Sequence, residues 1–357
     1  MYIVLAIIAF GILIAIHELG HFTAAKALNV RVKEFAIGMG PKILKKQGKE
    51  TLYSLRALPF GGFCAMDEDT ASDDPRAFTS QKRWRRVIIL ASGSLANIIT
   101  AFIVIIILTI GTKGFVGTTV VELADGFPDN GASGLMAGDT IMSMNGERLY
   151  YSDDFLMFIG LAESAGNSNV NLVVRRGGEK VTLNNYPLER REYMIDGEMR
   201  LRFGITFNLI EGTAIEQLKY ASYRTMNFVR LIRVSLAQLI SGAAGFRDLS
   251  GPVGIVDAMN TIGQDSPTVG IALGNIAFFT AFIGVNLAIM NMLPIPALDG
   301  GRILFLCIGW VIEKILRRRI DPKYEGYIHA GAMVLLFGLM ILVLASDVVK
   351  LVGGRLS

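Results

Sequence analysis

Charge is scarce in this chain. Asp, Glu, Lys and Arg make up only 18% of its 357 residues, where a soluble domain carries about 25%. Hydrophobic residues reach 52% and the mean hydropathy is +0.47, which excludes a water-soluble enzyme and a disordered chain. The net charge is only +4, and the lysines and arginines flank apolar runs without forming a face of their own, which excludes a nucleic-acid binder. Two cysteines, Cys64 and Cys307, offer neither a disulfide framework nor a CxxC metal site. There is no internal repeat and no low-complexity segment. What the chain has in plenty is long uncharged sequence, and that makes it a membrane protein.

Crossing about 30 Å of hydrocarbon takes roughly 20 apolar residues. Four stretches qualify as spans: Met1 onward, apolar to Ile16 and again beyond His21; Val87 to Thr112; Ser266 to Leu298; and Tyr327 to Ser346. A secretory signal peptide would place a basic residue ahead of the first apolar run, yet the first lysine or arginine is Lys26. Ala25 to Arg86 holds 13 Lys and Arg in 62 residues, and Arg302 to Gly326 holds 6 in 25. Thr112 to Asp265 holds 14 in 154. Basic loops stay in the cytoplasm, so both termini and the long loop are expected outside.

The expected architecture is a multi-pass α-helical membrane protein with four transmembrane helices and a soluble insert. Residues 1–112 carry the first two spans and a cytoplasmic loop (about 31–65), 113–208 a small α/β domain, 209–265 amphipathic helices on the membrane surface, and 266–357 the last two spans. The insert shows β-like runs at Thr118–Leu123, Val170–Val174 and Val181–Leu183, broken by Gly, Asn and Asp turns. Thr213 to Met259 reads as one helical stretch, and Arg224, Arg230 and Arg233 argue for an interfacial helix over a fifth span.

The chemistry sits in His17-Glu18-Leu19-Gly20-His21. On a helix, positions i and i+4 share a face, so both imidazoles reach one metal while Glu18 stands beside it as general base. Chance yields an HExxH in roughly one such chain in a thousand, and here it uses two of only three histidines. Three ionisable residues within one turn of a membrane helix point to function, and zinc is the metal that this ligand type favours. A catalytic zinc takes three protein ligands. The third has two candidates, His329 and Asp299. Asp299 is the better placed, because it follows 33 uncharged residues and Pro294 and Pro296 break the helix just before it.

HELGH together with Asn291-Met-Leu-Pro-Ile-Pro-Ala-Leu-Asp-Gly-Gly-Arg302 resembles the site-2 protease family of intramembrane zinc metalloproteases, over nearly the whole chain. Phe35–Pro41 and Leu58–Phe63 resemble that family's membrane-associated β-hairpin loop. Ala132–Gly146 is similar to the core of a PDZ domain, and one such domain is present, as in single-PDZ bacterial members. Leu249–Ile255 resembles the segment before the third span. Where the family commonly has AAGPxxN, this chain has Ala91-Ser-Gly-Ser-Leu-Ala-Asn97, so Ser94 replaces a proline and Asn97 is kept.

The resemblance implies one zinc per chain held by His17, His21 and Asp299, with Glu18 catalytic, in a bacterial cell membrane with the site near the cytoplasmic face. Asn286 and Asn291 match asparagines that help hold substrate. The hairpin supplies a strand edge for an unwound substrate, and Gly38, Gly40, Gly61 and Gly62 allow close backbone approach. The implied partners are the lipid bilayer and single-pass proteins already trimmed outside, of the anti-sigma-factor or signal-peptide-remnant type. The PDZ-like domain either captures chain ends or excludes bulky substrates. A transporter would need repeated halves, which are absent. A scaffold would leave HELGH unexplained. Nothing in the sequence sets the oligomeric state.

Overall fold

The computed structural model describes residues 1–67, 74–128, 133–164, 166, 169–195, 198–242, 251–316 and 322–353. In chain order these form α1 (Tyr2–Ala27), β1 (Val32–Gln47), β2 (Leu52–Met66), α2 (Arg83–Thr109), β3 (Gly114–Leu123), β4 (Thr140–Met144), β5 (Glu147–Arg148) and α3 (Ser152–Ser164). There follow β6 (Asn169–Arg176), β7 (Glu179–Pro187), β8 (Arg191–Ile195), β9 (Glu198–Arg202), β10 (Ile205–Glu211) and α4 (Ala214–Ser241). The chain ends with α5 (Pro252–Gln264), α6 (Val269–Asn291), α7 (Asp299–Leu316) and α8 (Pro322–Gly353).

Among the described residues four helices are long and apolar enough to cross a membrane: α1, α2, α6 and Ala330–Asp347 of α8. They fall on the four stretches that the sequence marks out. Contacts divide the chain into two units, one of residues 1–108, 228–239 and 245–357, the other of residues 109–227 and 240–244.

In the first unit α1 is the central post. Its first half packs Ala6 and Leu13 with Met259 of α5 and Ile276 and Ile283 of α6. Its second half joins Ala25 to Val30 and Val32, to Ile89 and Leu90 of α2, and to Leu306 of α7. α5 is a short helix whose first turn is capped from far away: the buried Asp347 carboxylate accepts the backbone N–H groups of Gly251 (3.2 Å) and Gly254 (2.9 Å).

The loop between α1 and α2 is more than the expected hairpin. Residues 34–37 pair antiparallel with 62–65, and also with 52–55 with both numbers rising together. Residues 42–47 pair antiparallel with 52–56. The result is four segments in the order 42–47, 52–56, 32–37, 62–66, with the last segment on an edge. Gly38 and Gly40, at φ 85° and 83°, turn the chain out of the first segment so that it skips a neighbour, which no alternation pattern announces.

In the second unit the sheet runs β10-β3-β4-β6-β7, with β5 paired to β4. Asn145 and Gly146 both have positive φ, 49° and 83°, as a tight β4–β5 turn requires. The buried Asp139 carboxylate takes the Met136 N–H at 2.9 Å and the Arg176 guanidinium at 2.7 and 2.8 Å. All three β-like runs of the sequence lie in strands, while Ala132 falls outside the described residues. The single helical stretch expected at 213–259 is instead two helices, α4 and α5. Gly242 at φ 77° ends the first and Pro252 starts the second, and residues 243–250 between them are outside the described set.

Candidate active site

His17 and His21 are one turn apart on the inward face of α1, and both are buried. Asp299 opens α7. The loop before it folds back tightly, because Leu298 donates its N–H to Ile295 (3.1 Å) and Ile295 donates to Leu293 (2.7 Å). Gly300 lies against the carbonyls of Met292 and Leu293, where any Cβ would collide, so only glycine lets α7 begin there. The carboxylate of Asp299 is thereby delivered to the two imidazoles.

The resulting triangle is compact. His17 Nε2 and His21 Nε2 are 3.1 Å apart, and each lies 3.2 Å from Asp299 Oδ2. Four ligands tetrahedral about zinc at 2.0–2.1 Å would be separated by about 3.3 Å, so the residues fit that ion. The orientation of His21 is fixed from behind, since its Nδ1 lies 2.8 Å from the carbonyl oxygen of Ile89 on α2. A carbonyl only accepts, so Nδ1 carries the proton and Nε2 turns its lone pair into the triangle. Asn291 adds its side-chain amide 3.3 Å from His17 Nε2.

Gly93 of α2 makes room for the pair. A Cβ there would lie 2.5 Å from His21 Nε2 and 2.8 Å from His17 Cε1. Neither Gly93 nor Ile89 is singled out by reading the sequence. The one signal is the run of small residues in Ala91-Ser-Gly-Ser94, which permits close helix approach.

The triangle lines a cavity of about 310 Å³ together with Glu18, Phe63, Cys64, Asn291 and Arg302. Glu18 shares that cavity with Cys64, which lies on the edge segment of the sheet. Burial, with Glu18 adding to it, pushes the Cys64 thiol up to about 12. Gly62 stands beside Glu18, its missing Cβ 3.3 Å from Glu18 Cγ. Gly38, Gly40 and Gly61 are different: all three have positive φ and serve turns, with Gly38 backing on Arg56 and Leu58 and Gly61 on Met39. Asn286 is not among the residues that line the cavity, because five positions of helix turn it away from Asn291. The side chain of His329, the alternative to Asp299, lies outside the described residues.

The sequence pattern of Peptidase family M50 matches residues 5–339. A protein of Clostridium acetobutylicum named a putative zinc metalloprotease is 38% identical over 352 residues, covering 97% of each chain. One of the same designation from Clostridium perfringens is 35% identical, over 98% of this chain and 99% of its own. The regulator of sigma-W protease RasP of Bacillus subtilis is 27% identical, over 97% of each.

Proposed function

The chain belongs to peptidase family M50, the site-2 proteases, and is a zinc metalloprotease of a bacterial membrane; from that premise we propose that it hydrolyses peptide bonds within or near transmembrane segments of single-pass proteins already trimmed outside. The observation that carries this reading is the Nε2–Nε2–Oδ2 triangle with Glu18 beside it, on helices of membrane-spanning length. His17, His21 and Asp299 would hold the ion.

Bound zinc supplies Lewis acidity, polarising a carbonyl and acidifying water. Glu18 takes the proton of the attacking water and delivers it to the leaving amine. A helical substrate has its carbonyls engaged in i to i+4 bonds and must be unwound first. Residues 62–66, an edge segment one side chain from Glu18, would pair with the unwound chain by strand addition, with Gly62 leaving room for it. Asn291 would hold substrate at the same wall.

The 113–208 insert is read as a PDZ domain, supported by its Gly-Asp turn and Asn-Gly turn in a five-strand path with helix α3. It sits outside the cell with both termini in this reading, as the basic loops argue. The substrates would be anti-sigma factors or signal-peptide remnants.

The test is cleavage of a trimmed single-pass substrate by purified protein, wild type beside Glu18→Gln, with zinc quantified in both. Wild type should cut within the hydrophobic segment and the variant should hold zinc without cutting. Cutting by the variant would remove Glu18 from the chemistry.

A further inference from the structure

The two metal-facing histidines are held unequally. His21 has the Ile89 carbonyl on its far nitrogen, but Nδ1 of His17 is buried with no hydrogen-bond partner. Three more buried atoms, all on α2, share that condition: Oγ of Ser94 and both amide atoms of Asn97. Ser94 is 2% exposed and Asn97 0%.

Their placement follows from how α1 meets α2. His21 faces Ile89 and Gly93, and His17 faces Gly93. One turn further, the Leu13 side chain of α1 and the backbone carbonyl of Asn97 of α2 both border Gly284 of α6, 3.0 and 3.7 Å from where its Cβ would stand. Ser94 and Asn97 therefore occupy the turn of α2 that lies alongside His17.

A buried polar atom left unpaired costs about 1–3 kcal/mol, and a histidine that binds a metal normally donates its second N–H to a carbonyl, carboxylate or water. Buried waters settle where two to four polar groups converge, and usually make about three hydrogen bonds. We propose that a buried water held by Asn97 and Ser94 accepts the Nδ1 proton of His17, so that Asn97 is a positioning residue for zinc. The water takes the imidazole proton as acceptor and donates to Asn97 Oδ1 and to Ser94 Oγ. His17 Nε2 is thereby kept as the free lone pair. Ser94, standing where the family motif has a proline, supplies an oxygen that a proline lacks.

The inference rests on His17 being a zinc ligand, and the experiment separates the two. Zinc affinity of the full chain in detergent is measured by chelator competition, with the absorption spectrum of the cobalt(II) form as a second readout. Asn97→Leu, which keeps volume and removes the amide, should bind zinc about 10- to 100-fold more weakly and alter the cobalt spectrum. Asn97→Ser keeps an oxygen and leaves room for the water, so it should recover most of that loss at a similar melting temperature. Unchanged affinity in Asn97→Leu overturns the proposal, and so does an equal loss in both variants that tracks their melting temperatures. His17→Ala is the control. If it loses zinc while Asn97→Leu does not, the metal site stands and only the water-held Asn97 falls. If His17→Ala keeps wild-type affinity, the ligand set is wrong and the inference falls with it.

Discussion

His21 reaches across 2.8 Å to the carbonyl of Ile89, and that single bond lets α2 decide which nitrogen of an α1 histidine meets Asp299. The same carbonyl also accepts the Ser92 hydroxyl at 2.6 Å. A carbonyl inside α2 is thus a fixed point of the site, and the helix contact around it has no slack.

Gly93 tests that contact. Alanine is favoured over glycine in a helix by about 1 kcal/mol, so propensity alone predicts a gain from Gly93→Ala. The added methyl would overlap the His21 ring at 2.5 Å and push one imidazole off the triangle. The expected outcome is loss of bound zinc, at least roughly 10-fold in affinity, together with activity. Metal quantification on the purified variant checks it.

Glu34 on β1 gives the sheet an acid limit. Burial pushes its carboxyl up, but hydrogen bonds from Ser54 (2.7 Å), Arg56 (2.8 Å) and Lys42 (3.1 Å) outweigh that and hold it at about 2. A carboxyl whose pKa is depressed by folding stabilises the fold above its ordinary value of 4.5. That contribution disappears as pH falls from there toward 2. Limited proteolysis of the α1–α2 loop across that window should show increasing cleavage in wild type. Glu34→Gln should be cleaved more readily at neutral pH and show a flatter acid dependence.

Asp347 ties α8 to the start of α5. Gly251 offers no side chain to cap α5, and the carboxylate of a helix 93 and 96 positions away does the capping. Asp347→Leu would orphan the buried Gly251 N–H and the half-buried Gly254 N–H, at about 1–3 kcal/mol. Asp347→Asn keeps an acceptor oxygen and should lose less. Thermal denaturation in detergent, with both variants beside wild type, reads the order.

Much of this was legible in the sequence because its signals are local. Apolar run length gives the four spans, the i, i+4 spacing gives the histidine pair, and Pro294 and Pro296 ahead of Asp299 announce a helix broken to deliver a carboxylate. Other features depend on partners distant in the chain. The order of segments within residues 32–66 turns on where Gly38 and Gly40 send the strand. Gly93 earns its place from a ring on another helix. The five-residue step from Asn286 to Asn291 rotates one of two apparently equivalent asparagines out of the cavity, a consequence of helix geometry that could have been drawn from sequence alone.

Ala297 is the strained point from which Asp299 is aimed. Ile295-Pro296-Ala297-Leu298 closes with the Leu298 N–H on the Ile295 carbonyl, and Ala297 has φ 78°. Pro at the second position and positive φ at the third mark a type II turn, whose third residue is normally glycine. Ala297→Gly removes about 1–2 kcal/mol of left-handed strain but loosens the unfolded chain by about 0.4–1 kcal/mol. Its stability should therefore equal wild type or exceed it by up to about 1.6 kcal/mol, with zinc affinity intact. Ala297→Val places a β-branched residue where such side chains are true outliers, and the turn must open to accept it. Asp299 lies two residues beyond, so the variant should lose zinc affinity by more than its fall in melting temperature explains. Full zinc affinity in Ala297→Val would mean that Gly300 and the start of α7, and not the turn, set the position of the carboxylate.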